Sequence, residues 1–253
     1  MASTSGAADP PAVPAADPAA SAAAAGTVAP KQARSRRTLD RLLDAAEAVL
    51  AEVGLERATV PAIAARAGLS VGVVYRRFRD KDALLRATYE RFFERVLEGN
   101  RAALAPERWA GAGARVVIAA VVAGVVRGHV QHRALLRALL AYAESHPDPA
   151  FRRRVAAINA AAAAQVTALL DARAAEIAHP EPPLAVGLAL GVLGATLHRW
   201  IHAETDGLPS GSPGGAPHAT VRGDGLYADM DGVRLADELT RMVTAYLGIG
   251  LAA

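Results

Sequence analysis

Between Thr59 and Leu85 two short helical segments meet at Ala67-Gly68-Leu69-Ser70, and this stretch limits the fold more than any other. Thr59 suits an N-cap, with Pro61 tolerated in the first turn that follows it. Ile63 and Ala64 face inward, and Ala67-Gly68 closes the segment. Gly68 supplies the positive φ that so tight a turn between helices requires. Ser70 is the next N-cap, opening a segment predicted over Val71–Phe78. Ala64 and Ala67 let the segments approach closely, while Ile63, Leu69, Val74 and Phe78 supply their shared core. Such a pair is a helix-turn-helix, whose second helix is the one that enters a major groove of duplex DNA.

The flanking sequence is helical too. Leu39, Leu42, Leu43, Ala46, Val49, Leu50 and Val53 recur at three- and four-residue steps, predicting a helix from Ser35 that stops at Gly54. Asp80 caps a helix predicted from Lys81 to about Glu98. Further helices are predicted over 113–129, 133–145, 150–177, 184–204 and 231–247, with a break at His146-Pro-Asp-Pro149. No stretch alternates as a strand would, so the expected class is all-α. Residues 1–34 are Ala- and Pro-rich with a basic end and are expected to be a disordered tail; residues 206–229 are expected to be a mobile loop.

Composition narrows the chemistry. With no cysteine there is neither a disulfide nor a thiolate metal site. The net charge of +3 is unevenly spread: Lys31–Lys81 holds 11 Lys and Arg against 6 Asp and Glu, and the rest holds 17 against 19. The positive charge therefore sits in the block with the helix-turn-helix, as a phosphate-facing module requires. The apolar stretches Val116–Val126 and Leu184–Leu197 fall short of the ~20 residues of a membrane span and read as buried helices. Nucleotide-binding, esterase and zinc-protease signatures are missing, which argues against an enzyme. His129 with His132, and His198 with His202 near Glu204, have metal-compatible spacing but no third ligand at a fixed offset. Neither a metal nor a cofactor is expected.

On the predicted second helix, Arg76 and Arg77 can reach a phosphate or a guanine edge. Val71 or Val73 can meet a thymine methyl, Gly72 permits close approach, and the Tyr75 hydroxyl can reach a phosphate. Thr59 and Ser70 stand at helix N-termini, where backbone N–H groups bind phosphate oxygens. Lys81 adds a second hold on the backbone.

The stretch Gly68-Leu-Ser-Val-Gly-Val-Val-Tyr-Arg-Arg-Phe-Arg-Asp-Lys-Asp-Ala-Leu-Leu85 resembles the signature of the tetracycline-repressor (TetR) family of transcriptional regulators. Leu43-Asp-Ala-Ala46, Leu50, Gly54, Ala58-Thr-Val60 and Ile63-Ala64 agree with it in type and spacing. The resemblance is specific over roughly residues 36–85 and extends beyond that only in helical layout. It implies a DNA-binding domain over 35–80 and a ligand-binding and dimerisation domain over 81–253, in a cytoplasmic, nucleoid-associated protein. Thr59, Ser70, Tyr75 and Lys81 then fall on phosphate-contacting positions, and Val71, Gly72 and Arg76 on positions facing base edges. Arg77 departs from the family's frequent His or Tyr and is expected to keep a phosphate contact.

The same resemblance implies a homodimer through about 184–204 and 231–247, a palindromic operator, and repression relieved by a small-molecule effector. Candidate ligand-lining groups are Trp109, His129, Tyr142, Asn159, His198 and Trp200, and the apolar run Val116–Val126 hints at a hydrophobic ligand. A metal-responsive regulator of the same fold is the alternative, ahead of a helical protein-binding adaptor or an enzyme.

Overall fold

Backbone hydrogen bonding in the computed structural model is helical throughout the described residues, 30–203 and 230–250, with no strand among them. The expected tail up to residue 29 and the whole of the expected loop at 206–229 lie outside those residues. The helices are α1 (Pro30–Arg57), α2 (Val60–Arg66), α3 (Val71–Tyr75), α4 (Lys81–Ala103), α5 (Ala114–Gln131), α6 (Arg133–Ser145), α7 (Pro149–Asp171), α8 (Pro182–Ala203) and α9 (Gly232–Tyr246).

Two compact units are formed. One takes the described residues up to Gly99 together with His129–Ala162; the other takes Asn100–Gly128 and the described residues from Ala163 onward. Helices α4, α5 and α7 each contribute residues to both.

In the first unit α1 buries the periodic stripe of Leu42, Leu43, Ala46, Val49 and Leu50. It begins at Pro30, so the basic stretch expected in the tail is helical, with proline at a position where its missing N–H costs nothing. Gly54 ends the regular helix at φ 76°, and one further turn follows to Arg57. On the outer side of the stripe, Arg91 of α4 reaches Asp44 and Glu47 at 2.7 Å, and Arg95 reaches Glu47 at 2.6 Å. Asp80 caps α4 by accepting from the Ala83 N–H at 2.7 Å. Tyr89, Phe92 and Phe93 of α4 form an aromatic cluster with His132, Tyr142, His146 and Phe151. The Tyr89 hydroxyl is fully buried with no hydrogen-bond partner among the described residues, and burial pushes it up to about 12.

In the second unit, α7 stops at Asp171 instead of continuing to Ile177. The Arg173 guanidinium closes its end, donating to the carbonyls of Leu169, Ala112 and Trp109 at 2.6–2.7 Å. Glu176 then caps α5 by accepting from the Ala114 N–H at 2.7 Å. A Cβ at Gly113 would lie 2.9 Å from the same carboxylate, so a larger residue there would push the Glu176 side chain aside. Helices α5 and α8 run past the apolar stretches that mark them in sequence, to 18 and 22 residues. By length and composition alone each would suffice to cross a membrane. Val117, Ile118, Val121, Val122 and Val126 of α5, and Ala185, Val186, Ala189, Leu193 and Leu197 of α8, are nonetheless buried inside the protein.

Candidate nucleic-acid interface

Thr59 N-caps α2 through its side chain, accepting from the Ala62 N–H at 3.3 Å, and Pro61 occupies the first turn. The connection to α3 turns on Gly68 at φ 63°. Arg41 of α1 braces the turn by donating to the Ala67 carbonyl, and a Cβ on Gly68 would sit 3.0 Å from that guanidinium. Gly68→Ala combines left-handed strain with displacement of this brace, and should lower stability by about 1–2 kcal/mol in urea unfolding.

Ser70 is the N-cap of α3 by backbone geometry, but its hydroxyl makes no capping hydrogen bond. Helix α3 covers only Val71–Tyr75, shorter than the predicted Val71–Phe78. Helical turn bonds carry the backbone a little further, with Arg76 N–H donating to Gly72 and Phe78 N–H to Val74. One side chain anchors it: Val74 is 1% exposed, above the buried Ile63, Ala64 and Ala67. Leu69 and Phe78, expected in the shared core, are half-buried.

The opposite side of α3 is open. Gly72, Tyr75 and Arg76 are exposed, Tyr75 at 51%, and Val71 and Val73 are half-buried. Arg77 has a partner within the chain that was not expected: its Nη2 donates to the Ser35 carbonyl at 2.9 Å and to the Ser35 hydroxyl at 2.8 Å. Lys81 is half-buried, with Nζ 3.4 Å from the Leu55 carbonyl beyond the Gly54 break. Sequence reasoning missed both engagements because each joins segments far apart in the chain. The exposed face of α3 thus offers a phenol, a guanidinium and a glycine, flanked by the exposed caps Thr59 and Ser70, with the half-buried Val71, Arg77 and Lys81 at its margins.

The six candidate ligand-lining residues are divided between the units: His129, Tyr142 and Asn159 belong to the first, Trp109, His198 and Trp200 to the second. Trp109 is buried and donates to the Ala103 carbonyl at 3.0 Å, and Trp200 donates to the Met230 carbonyl at 3.0 Å. Tyr142 hydrogen-bonds the Asp82 carboxylate at 2.8 Å, Asn159 is exposed, and His129 is half-buried. His198 and His202 face each other on α8 with ring centroids 4.6 Å apart, and no third metal-ligating group joins them among the described residues. The second unit does contain an apolar cavity, lined by Val117, Ile118, Val121 and Val122 of α5, with Val166, Leu170, Val186, Leu193 and Val243 among its other walls. None of the six lines it. Indole and phenol groups reach buried positions in a helical core by finding backbone or carboxylate acceptors there, so their polarity alone does not mark a cavity.

Residues 42–88 match the family described as bacterial regulatory proteins, tetR family. The BetI transcriptional regulator of Cronobacter sakazakii is 32% identical over 102 residues, and that of Escherichia coli 48% identical over 48 residues. These alignments cover 40% and 19% of this chain; the chain spans half the length of the first relative and a quarter of the second. Among solved structures, a TetR-family regulator from Mesorhizobium loti aligns at TM-score 0.60 and 18% identity, over 85% of this chain and 97% of that one. FadR from Bacillus subtilis, solved in complex with stearoyl-CoA, aligns at TM-score 0.55 and 18% identity, over 82% and 98%. At that identity the structures establish the shared fold, while the sequence match is confined to the helix-turn-helix and its flanks. Residues 42–88 therefore carry the DNA-binding signature of the TetR family of bacterial regulatory proteins, in a chain that shares the fold of solved TetR-family regulators.

Proposed function

We propose that the protein is a cytoplasmic transcriptional regulator that reads a palindromic DNA operator as a homodimer, represses transcription, and is released by a small apolar effector. The observation that carries this reading is the exposure of Tyr75 and Arg76 on a helix fixed from behind by the buried Val74. Arg76 is the group suited to a base edge, and Tyr75, Thr59 and Ser70 to phosphates. Residues 35–80 serve as the DNA-binding domain, extended upstream by the first turns of α1, and residues 81–253 as the sensing and dimerising part.

Two recognition helices must stand about 34 Å apart, or a multiple of that, to enter successive major grooves, so DNA reading requires two copies. An exposed apolar stripe on α8 and α9 supports their pairing: Leu184, Leu188, Val192, Val233, Met242 and Tyr246 are all exposed. An apolar effector is supported by the cavity, whose lining is wholly aliphatic. At about 20 Å³ it holds little more than one water, so an effector enters by spreading its walls. By linkage, an effector that weakens DNA binding is itself bound more weakly by the DNA complex, by the same factor. The stearoyl-CoA bound to FadR makes long acyl compounds the first class to try.

Selection of bound duplexes from a random pool tests the reading directly, since a two-fold symmetric consensus reports sequence reading and pairing together. Arg76→Ala should relax one base position in each half-site and lose about 10-fold or more against the parent consensus. Recovery of sequences with no consensus, or an Arg76→Ala variant selecting the parent's consensus, would refute it.

A further inference from the structure

Helix α1 carries three guanidinium groups within four residues of its first turns, Arg34, Arg36 and Arg37, and all three are exposed. None is paired with a carboxylate among the described residues. Two turns further along, by contrast, Asp44 and Glu47 balance Arg91 and Arg95. Like charges one helical turn apart, such as Arg34 and Arg37, are mildly unfavourable in isolation and become favourable only against a polyanion.

Ser35 lies inside this cluster, and it is the residue that Arg77 grips through both its carbonyl and its hydroxyl. At 100° per residue, Arg34 and Arg36 stand to either side of Ser35, so they flank the point where α1 meets the end of the α3 segment. The unbalanced cations are thereby held beside the recognition helix, two residues from its last turn.

We propose that Arg34, Arg36 and Arg37 form a clamp on the phosphate backbone flanking each half-site, and that Arg77 is a positioning residue hooking this clamp to α3. The occupant is the same duplex that α3 reads, so the inference rests on the DNA-binding reading above. It predicts affinity without sequence information, since phosphates are alike in every sequence.

The test uses the full chain and two labelled duplexes, one of arbitrary sequence and one carrying the selected consensus, titrated from about 50 to about 200 mM salt. The variants are R34Q/R36Q/R37Q, Arg77→Ala, all four substitutions together, and Tyr75→Ala with Arg76→Ala. The three glutamines preserve helix propensity at exposed positions, so circular dichroism and melting should match the parent. The triple variant should bind both duplexes more weakly by a similar factor. Because each of its protomers has three fewer phosphate ligands, its deficit against the parent should shrink by up to about 40-fold per protomer across that salt range. Arg77→Ala should weaken the parent but change the triple variant by less than about twofold, because a hook matters only while there is a clamp to hold.

A triple variant with the parent's affinity and salt dependence overturns the clamp. A full, additive loss from Arg77→Ala in the triple background makes Arg77 a phosphate ligand and overturns its positioning role. The Tyr75 and Arg76 variant separates the two readings: it should lose preference for the consensus while keeping the salt-dependent binding that the clamp supplies. A parent that binds neither duplex refutes the DNA reading itself, whereas a parent that binds while the triple variant is unchanged refutes the clamp alone.

Discussion

Leu188→Glu should leave the protein folded but monomeric, and should reduce operator affinity by about 10²–10⁴-fold. Leu188 is 53% exposed and lies midway along α8 between Leu184, 61% exposed, and Val192, so the three make one line at four-residue spacing. The other side of the helix is occupied by the buried Val186, Ala189, Leu193 and Leu197. A glutamate at 188 therefore meets water in the isolated chain and costs little there. In the proposed pair, two-fold symmetry places it against the partner's equivalent surface, where an unpaired charge would be removed from water. The loss of DNA affinity follows because a single half-site gives up the effective concentration that linkage to a second helix provides.

Gly191 offers an independent variant for the same surface. Nothing lies within 4 Å of a Cβ placed there or at Gly187 and Gly194, so the helix presents open backbone between its leucines. Gly191→Leu should raise the helical stability of the single chain and still hinder close approach of a second copy. Sedimentation of both variants checks the prediction, and an unchanged dimer in both would place the pairing surface elsewhere.

The sequence made the helix-turn-helix legible for a physical reason: its determinants are local. A cap at Thr59, a left-handed glycine at 68 and an apolar residue at 74 are each fixed by neighbours within a few positions, and each stands where expected. Helix ends were less legible where distant side chains set them. Nothing near Asp171 marks the end of α7, because the Arg173 guanidinium closes it by reaching the carbonyls of Ala112 and Trp109 some sixty residues earlier. The hydrogen bond from Arg77 to Ser35 is illegible for the same reason, since the two are 42 residues apart. The start of α1 was lost to composition: an Ala- and Arg-rich run after a Pro-rich leader looks like tail, although alanine and arginine favour helix once a nucleus lies beside them. The apolar cavity was hinted at by the Val116–Val126 run, but periodicity alone does not distinguish a helix lining a cavity from one packed solidly.

Asp82→Ala should cost about 2–4 kcal/mol of stability, because it strips two buried donors of their acceptor. Asp82 stands in the first turn of α4, directly after the helix-turn-helix. Its carboxylate accepts from the Tyr142 hydroxyl at 2.8 Å, from His146 Nε2 at 2.9 Å and from Arg86 at 2.9 Å. Tyr142 and His146 are both buried. The Asp148 N–H donates to His146 Nδ1 at 3.1 Å, which assigns the imidazole proton to Nε2 and aims it at Asp82. Arg86 completes the ring by pairing with Asp148 at 2.6 Å, so the start of α4 is tied to the His146-Pro-Asp-Pro149 corner between α6 and α7. Burial pushes the Asp82 carboxyl up, but hydrogen bonds from Tyr142, Arg86 and His146 outweigh it and hold it below its ordinary 3.8. Asp148 is lowered as well, first by its bond to Arg86. For both, the unfolded chain takes up protons at a higher pH than the folded one, so their contribution is fully present above about pH 4 and is lost as pH falls through the folded values. Asp82→Asn, which keeps the shape but cannot ionise, should therefore lose less additional stability than the parent between about pH 4 and pH 2. Urea unfolding of the parent and both variants at a series of pH values checks the sign. A parent curve no steeper than that of Asp82→Asn would show that the carboxylate does not hold this corner together.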